Sequence, residues 1–263
     1  MRLRFVQVDA FADRAFEGNP AAVIPLDAWL PDDVMQKIAE ENNLSETAFT
    51  VSCASDDADH ELRWFTPTTE VALCGHATLA SGHVLIGERD EVRFRTRKAG
   101  VLTVARGEGG LTLDLPATLV APGEHRALLD ALGTPEAELL LSCQGAEATA
   151  VVLLADEAAV RACAPDMQAL RGIDLMAIVT APGDGDHDVV SRVFVPAWGV
   201  DEDPVTGSAH AALTPFWVAR LGRDRFTAWQ ASRRGGRVEC RMAGDRVILG
   251  GSCVTVIEGR LDI

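Results

Sequence analysis

The sequence predicts an α+β protein made of two similar halves, and three observations support this fold class. Short runs of alternating apolar and polar residues, as in VRFRT at 92–96, are typical of half-buried strands in a mostly antiparallel sheet. Each half also contains one helical segment that is apolar on nearly every side, and such a helix is normally buried. The motif R-x-F-x-P occurs at 63–67 and again at 192–196, which favours an internal duplication.

The first half, residues 1–117, is predicted to hold seven strands and two helices. The strands are predicted at 3–8, 21–24, 47–53, 61–65, 92–96, 101–106 and 111–115. The glycine pair at 109–110 predicts a hairpin between the last two strands. A helix at 31–41 is predicted because Pro31 suits the first turn, and Asp32 and Asp33 suit the positive end of the helix dipole. The apolar helix follows at 76–87.

The second half, residues 118–263, is predicted to repeat this design after a break in the strand pattern between Pro116 and Pro122. A helix is predicted at 124–132 and the second apolar helix at 208–221. Strands are predicted at 148–154, 177–180, 189–195, 236–242 and 246–250. Two domains, 1–117 and 118–263, follow from this division, with the alternative that the last strand crosses back to the first domain.

Composition and charge exclude several classes of protein. Among 263 residues, 39 acidic residues outnumber 24 basic ones and give a formal net charge of -15, so the chain repels nucleic acid and anionic membranes. Asp9 and Asp13 precede any long apolar run, which argues against a secretory signal, and no run is long enough to span a membrane. Six cysteines without a C-x-x-C pair argue against a disulfide framework or a zinc knuckle. A cytoplasmic protein with reduced thiols is expected.

In each half, the R-x-F-x-P motif leads into the start of the apolar helix. The segments are E-V-A-L-C-G-H-A in the first half and D-P-V-T-G-S-A-H in the second. Free backbone N–H groups and the helix dipole favour an anion at such a start, and Gly75 and Gly207 lack the Cβ that would keep a ligand away. If a pseudo-twofold axis relates the halves, the two starts face each other across a cleft between domains and hold a small carboxylate.

Three residues near these starts are candidates for moving a proton: Glu46, His76 and Asp203. Glu46 lies between Leu44 and Phe49, and apolar neighbours favour a carboxyl group that carries a proton both ways near neutral pH. The alternative is that Glu46 caps or salt-bridges the end of the preceding helix. The stretch D-P-V-T-G is better explained, taken alone, by a turn and cap role for Asp203. For His76 the alternative is a helix-start histidine bonded to the next turn.

Ser208 and Cys74 are also open to two interpretations. Ser208 is more often a helix-start hydroxyl than a nucleophile, and no G-x-S-x-G elbow surrounds it. Cys74 is either a thiol activated by the helix start or a buried, inert cysteine. The metal-capable residues near the two starts lack the spacing of zinc or calcium sites, and neither nucleotide-binding glycine motif occurs. No metal and no cofactor are therefore expected.

Several stretches of the chain, in the same order, resemble the PhzF-like family, which is named for the phenazine biosynthesis isomerase. They are DAF at 9–11 with GNPAAVI at 18–24, NLSETAF at 43–49, FTP at 65–67, LCGHAT at 73–78, FVPAWGVDEDPVTGSAH at 194–210 and QASRRGG at 230–236. The resemblance spans nearly the whole chain, and the block ending in DPVTGSAH is its most specific part.

The resemblance implies a diaminopimelate-epimerase-like fold. In that fold two similar domains each wrap a barrel-like sheet around a central helix, the active site lies between them, and the protein is usually a homodimer. The family's characterised isomerase uses no cofactor and shifts a double bond in trans-2,3-dihydro-3-hydroxyanthranilate by moving a proton. By residue, Glu46 matches its proton-transferring glutamate. The matching supporting polar residues are His76, Asp203 and Ser208. The positions expected to receive the substrate are Cys74, Gly75, Thr206 and Gly207.

The expected function is a cofactor-independent isomerase in which Glu46 takes a proton from one carbon of a small carboxylate, cyclic carboxylates among them, and returns it elsewhere. Two alternatives stay open: a Cys74-dependent epimerase or racemase, and a non-catalytic metabolite-binding dimer. Racemases of the wider superfamily use a thiol at each helix start, whereas the second start here reads T-G-S, which disfavours that mechanism. Neither nucleic acid nor a membrane is an expected partner.

Overall fold

The computed structural model describes residues 1–53, 55–142 and 148–263. The chain separates into two compact units, one of Met1–Asp114 with Gly250–Ile263 and the other of Leu115–Leu249. The division expected from the sequence, near residue 117, placed the last strand in the second domain or, alternatively, back in the first. Of the six cysteines, Cys143 lies outside the described residues.

The described residues contain eighteen strands, six α-helices and a short 3-10 helix. The strands are β1 (Arg2–Ala10), β2 (Asn19–Leu26), β3 (Glu46–Ser52), β4 (His60–Phe65), β5 (Glu70–Val71), β6 (Glu91–Thr96), β7 (Val101–Gly107), β8 (Gly110–Pro116), β9 (Val120–Pro122), β10 (Glu138–Ser142), β11 (Thr149–Leu153), β12 (Met176–Pro182), β13 (Val189–Val195), β14 (Val200–Asp203), β15 (Arg225–Gln230), β16 (Gly236–Ala243), β17 (Arg246–Gly251) and β18 (Cys253–Asp262). The helices are α1 (Asp32–Asn42), α2 (Gly75–Leu85), α3 (Arg126–Leu132), α4 (Glu157–Ala162), α5 (Met167–Leu170) and α6 (Gly207–Leu221), and the 3-10 helix is Pro196–Trp198.

The first unit packs a mostly antiparallel sheet against the buried helix α2. Strand β1 pairs with β2 and with β18, β2 pairs in parallel with β3 after the crossover through α1, and β3 pairs with β4. Strand β4 pairs in parallel with β6 after β5 and α2 intervene, and β6, β7 and β8 continue as hairpins. Helix α2 contacts β1, β2, β3, β7 and β18, and its first eight residues are buried. Gly82 allows this packing, because a Cβ there would lie 2.4 Å from Val104 Cγ1.

The second unit repeats the same order of pairings. Strand β10 pairs with β11, β11 pairs in parallel with β12 after α4 and α5, and β12 pairs with β13. Strand β13 pairs with β14 and, after α6 intervenes, pairs in parallel with β15, which continues into β16. Helix α6 contacts β11, β15 and β16 and buries most of its surface. The predicted α+β class with two similar, mostly antiparallel units, each holding a buried helix, is therefore confirmed.

Each R-x-F-x-P motif places its arginine in the same contacts. Arg63 binds Glu70 through two hydrogen bonds of 2.7 and 2.8 Å, and its guanidinium carbon lies 5.1 Å from the Phe65 ring centroid. Arg192 binds Glu202 through two hydrogen bonds of 2.7 and 3.0 Å, and its guanidinium carbon lies 4.9 Å from the Phe194 ring centroid. The acid that corresponds to Glu70 is thus Glu202, the residue before the aspartate that begins D-P-V-T-G-S-A-H.

The predicted strands and helices are present with small shifts of their ends, and the 109–110 hairpin joins β7 to β8. The elements that the sequence did not predict are β5, β9, β10, β14, β15, β18, α4 and α5. Strand β10 contains three consecutive leucines and therefore lacks alternation, and β18 is exposed over most of its length. Strand β15 alternates in burial, but its residues alternate between polar and apolar only as far as Ala228, because Trp229 is half-buried and Gln230 is buried. Among the helices that the structure describes, none combines the length and apolar character required to cross a membrane.

Candidate active site

The carboxyl group of Glu46 lies against the imidazole of His76. Glu46 is the first residue of β3, beside Ala21 of β2, and His76 lies in the first turn of α2. Glu46 Oε2 and His76 Nε2 are 3.0 Å apart, and the two side chains are 17% and 5% exposed. Neither atom has a well-aligned hydrogen-bond partner among the described residues. Close but poorly aligned acid–base groups are common in active sites before a substrate binds.

The other ring nitrogen of His76 is surrounded by two further polar groups. His76 Nδ1 lies 3.1 Å from Nδ2 of Asn19, which is fully buried, and 3.5 Å from Sγ of Cys74. Asn19 is the first residue of β2, whereas Cys74 is the N-cap of α2. The imidazole is therefore held from both edges by residues of β2, β3 and the helix start.

Burial controls the ionisation of Cys74. It raises the pKa of the thiol to about 11, and the nearby Glu46 carboxylate adds to the rise. The helix start and His76 act in the opposite direction but do not outweigh burial. Cys74 is therefore a thiol at neutral pH, which favours the interpretation of a buried, inert cysteine over that of an activated one.

His76 is subject to opposing influences. Burial alone lowers the pKa of the imidazole, whereas an ionised Cys74 and the Glu46 carboxylate raise it, and with both of these charged the pKa lies well above its usual value. The alternative of a helix-start histidine bonded to the next turn does not describe His76, because its described partners are on β2, on β3 and at the N-cap.

The second helix start, at α6, holds a network of hydrogen bonds between uncharged groups and one carboxylate. The Thr206 hydroxyl donates a hydrogen bond to Asp203 Oδ2, and the backbone N–H of Thr206 donates to Gln230 Oε1 at 2.9 Å. Gln230 in turn donates through Nε2 to the Asp203 carbonyl oxygen at 2.7 Å. The N-cap of α6 is Thr206. Asp203 therefore fixes the turn before the helix through Thr206, which agrees with its turn interpretation.

Ser208 and His210 lie in the first turn of α6 without an acid–base partner among the described residues. The Ser208 hydroxyl lies 3.9 Å from the Met176 sulfur. His210 Nδ1 lies 2.8 Å from the Thr206 carbonyl oxygen, and burial lowers the pKa of its imidazole to about 4. His210 is therefore neutral at neutral pH, and the helix-start hydroxyl interpretation fits Ser208 better than a nucleophile does.

Neither helix start is capped by the side chain of its N-cap residue. Cys74 and Thr206 both have extended backbones and make no side-chain hydrogen bond to the first turn. The first-turn N–H groups that begin at Gly75 and Gly207 are thus oriented to receive an acceptor, and the helix dipole favours a negatively charged one. The eight predicted site residues fall into two groups of four. Those of the first unit are Glu46, Cys74, Gly75 and His76, and those of the second are Asp203, Thr206, Gly207 and Ser208.

Three groups of the first helix start could in principle hold a metal ion. One ligand atom each from Glu46, Cys74 and His76 lies within 4.8 Å of the others. However, the sulfur faces Nδ1 of the imidazole and the carboxylate faces Nε2. Because a histidine binds a metal through one ring nitrogen, these three do not converge on one ion as they stand.

Two residues that contact the predicted site residues directly were not assigned a role from the sequence. Asn19 contacts His76, and Gln230 holds Asp203 and Thr206. Both lie in stretches that carry the family resemblance, GNPAAVI and QASRRGG. Their contacts join residues far apart in the sequence, so only the folded chain shows what they do.

Comparison with known proteins identifies relatives along the whole chain. The family described as phenazine biosynthesis-like protein, PhzC-PhzF, matches residues 8–259. Two proteins of Pseudomonas aeruginosa, each named an uncharacterized isomerase, are 47% and 48% identical to the chain, over 268 and 265 residues. Coverage of both partners is 100% for the first and 99% for the second.

Solved structures give the same picture of the fold. A phenazine biosynthesis protein of the PhzF family from Enterococcus faecalis superposes with a TM-score of 0.90 at 42% identity, with all of both chains covered. A hydroxyproline epimerase from Agrobacterium vitis superposes with a TM-score of 0.63 at 14% identity, covering 99% of this chain and 92% of that one. The second similarity shows a shared epimerase-like fold.

Proposed function

The chain belongs to the phenazine biosynthesis-like protein family, and from that premise we propose that it moves a proton between two carbons of a small carboxylate-bearing substrate without a cofactor. The coarser assignment, an enzyme of the isomerase or epimerase type, follows from the family and from relatives that are named isomerases. The single observation that supports the finer one is the pair of buried atoms, Glu46 Oε2 and His76 Nε2, at 3.0 Å.

In this proposal Glu46 takes the proton from one carbon of the substrate and returns it to another. A carboxyl group that is 17% exposed can reach a substrate while being shielded from bulk water. While the Glu46 carboxyl group is ionised, the neighbouring imidazole can donate a hydrogen bond to it. Once the carboxyl group is protonated, this hydrogen bond can rearrange. One such acid–base group contributes a rate factor of about 10² to 10⁴.

The uncapped first turns of α2 and α6 are proposed to bind the carboxylate and the negative charge that develops in the transition state. Fixed N–H groups stabilise developing charge without reorganising during the reaction. The Asp203, Thr206 and Gln230 network supports this role, since it fixes the residues that precede Gly207. Cyclic and aromatic carboxylates are the proposed substrate class, and a cytoplasmic homodimer is the proposed form of the enzyme.

The alternative of a Cys74-dependent epimerase or racemase is less well supported. A thiol with a pKa of about 11 is a poor base at neutral pH, and the position of the second thiol is occupied by Thr206. The non-catalytic alternative, a metabolite-binding dimer, does not explain the close contact of Glu46 with His76.

The proposal is tested by exchange of carbon-bound hydrogen with heavy water. Aromatic and cyclic carboxylates and amino acids are screened with the wild-type protein, and the active compound is then tested with Glu46→Gln. We expect exchange to fall by about 10²- to 10⁴-fold while calorimetric binding is retained. The matched control is Glu41→Gln, an exposed carboxylate five positions earlier, which should exchange at the wild-type rate. Undiminished exchange in Glu46→Gln would refute the role of Glu46. Binding of a carboxylate without exchange would favour the metabolite-binding alternative.

A further inference from the structure

Asn19 occupies a position that the fold specifies closely. It begins β2 directly after Gly18, whose φ is +63°, and a Cβ at Gly18 would lie 2.1 Å from the carbonyl oxygen of Ala10. Only glycine fits there without a shift of the backbone. The side chain of Asn19 is completely buried and reaches the first turn of α2, where its Nδ2 lies 3.1 Å from His76 Nδ1.

The groups around His76 Nδ1 are hydrogen-bond donors. An amide nitrogen such as Asn19 Nδ2 can donate but cannot accept. Cys74, with a pKa of about 11, keeps its proton at neutral pH, so its S–H can donate to the same nitrogen from 3.5 Å. An Nδ1 that receives two donors carries no proton of its own. In a neutral imidazole the proton is then on Nε2.

The charged neighbours of His76 favour a proton on Nε2 and not on Nδ1. Among the described residues, Glu46 and Cys74 are the titratable groups in contact with the ring. Cys74 raises the pKa of the imidazole only as a thiolate, and it is a thiol at neutral pH. Glu46 faces Nε2 at 3.0 Å. A second proton, on Nδ1, would point at the N–H group of Asn19, which is a repulsive arrangement.

We propose that Asn19 is a positioning residue that fixes the tautomer of His76: its amide N–H donates to Nδ1 and thereby keeps the ring proton on Nε2, facing Glu46 Oε2. The role of this proton in the reaction rests on the proposed function. It gives the Glu46 carboxylate a donor at one oxygen, Oε2, and leaves Oε1 for the proton of the substrate. The Cys74 thiol favours the same tautomer as a second donor to Nδ1. In this role the buried thiol takes no direct part in the reaction.

The experiment is nitrogen NMR of the full-length protein with ¹⁵N-labelled histidine at pH 7. The ring signals of His76 are identified by their loss in His76→Gln. We expect one protonated and one unprotonated nitrogen, with proton–nitrogen couplings that assign the proton to Nε2. In Asn19→Asp, whose carboxylate is an acceptor of the same size, both ring nitrogens should be protonated. The exchange rate at pH 7 should fall by about 10-fold or more, because a wrongly protonated histidine cannot perform its role.

Ser81→Ala is the matched control, since Ser81 is buried in the same helix and its hydroxyl donates to Ala77 and not to His76. Its His76 signals should match those of the wild type. A wild-type spectrum with a proton on Nδ1 would overturn the proposal, and that result does not depend on whether Asn19→Asp folds. An unchanged spectrum in folded Asn19→Asp would also overturn it. The predicted spectrum together with undiminished exchange in Glu46→Gln would leave this tautomer standing and refute the proposed function instead.

Discussion

The start of α2 in the first unit and the start of α6 in the second occupy the same place in a repeated order of strands, so they can be compared position by position. Cys74 corresponds to Thr206, and His76 corresponds to Ser208. The strands extend the comparison, because Phe65 pairs with Thr47 on β3 as Phe194 pairs with Ala177 on β12. The residues before Thr47 and Ala177 are Glu46 and Met176, which are therefore equivalent.

The equivalent pairs make the same contact with different chemistry. Glu46 lies 3.0 Å from the imidazole of His76, and Met176 lies 3.9 Å from the hydroxyl of Ser208. A carboxyl–imidazole pair can hold and move a proton near neutral pH, whereas a thioether and a hydroxyl cannot. The duplicated backbone thus supplies two similar helix starts that differ in their chemistry. In the proposed function, proton transfer takes place at the first, and the second is proposed to bind the substrate.

The largest effect on stability is expected where the repeated arginine is buried most deeply. Arg63 is 2% exposed and Arg192 is 14% exposed. Arg63→Met should lower the free energy of unfolding by about 3 to 5 kcal/mol, because it leaves the Glu70 carboxylate without its bidentate partner. Arg192→Met should cost about 2 kcal/mol, since the guanidinium that it removes is less deeply buried. Urea unfolding measures both, and Lys37→Met, which breaks an exposed pair, serves as the control. Equal losses would contradict the difference in burial.

A smaller effect on stability, which depends on pH, is expected at His210 of α6. His210 of α6 corresponds to Thr78 of α2, and its pKa is lowered to about 4 from an ordinary value of 6.5. The unfolded chain therefore binds a proton between pH 6.5 and 4 that the folded chain does not. Stability is complete above pH 6.5 and should fall by about 3 kcal/mol as the pH drops through this window.

His210→Thr tests this, because threonine can keep a hydrogen bond to the preceding turn, as Thr78 does to the Cys74 carbonyl oxygen. Although the smaller side chain lowers stability overall, the variant should lose about 3 kcal/mol less than the wild type between pH 7 and 4. Identical pH dependence in urea titrations of both proteins would show that His210 titrates normally.

The smallest effect is expected at the thiol of the first helix start. Cys74→Ser should change the exchange rate by less than about 10-fold, because the hydroxyl can replace a weak donor to His76 and no thiolate is lost at neutral pH. Cys163→Ser, a half-buried cysteine of the second unit, is the control in the same exchange assay. If Cys74→Ser lost as much activity as Glu46→Gln, the epimerase alternative would replace the proposed function.

Local patterns predicted the parts of the fold that depend on neighbours in the sequence. The apolar composition of 76–87 and 208–221 indicated two buried helices, and the glycine, histidine and serine at their starts were predicted from the sequence as candidate site residues. The contact of Asn19 with His76 spans 57 positions and requires β2 to pack against α2. The equivalence of Glu46 with Met176 requires the strand register. Neither the contact nor the equivalence can be predicted from a short stretch of the sequence.

The division of work between the two helix starts is tested most directly by measuring substrate binding and exchange on the same samples of Glu46→Gln and Asp203→Asn. We expect Glu46→Gln to bind normally and to lose exchange by about 10²- to 10⁴-fold even at saturation. We expect Asp203→Asn to bind about 10-fold more weakly and, once saturated, to exchange within about 10-fold of the wild-type rate. Loss of exchange at saturation in Asp203→Asn as complete as in Glu46→Gln would contradict the assignment of proton transfer to the first helix start alone.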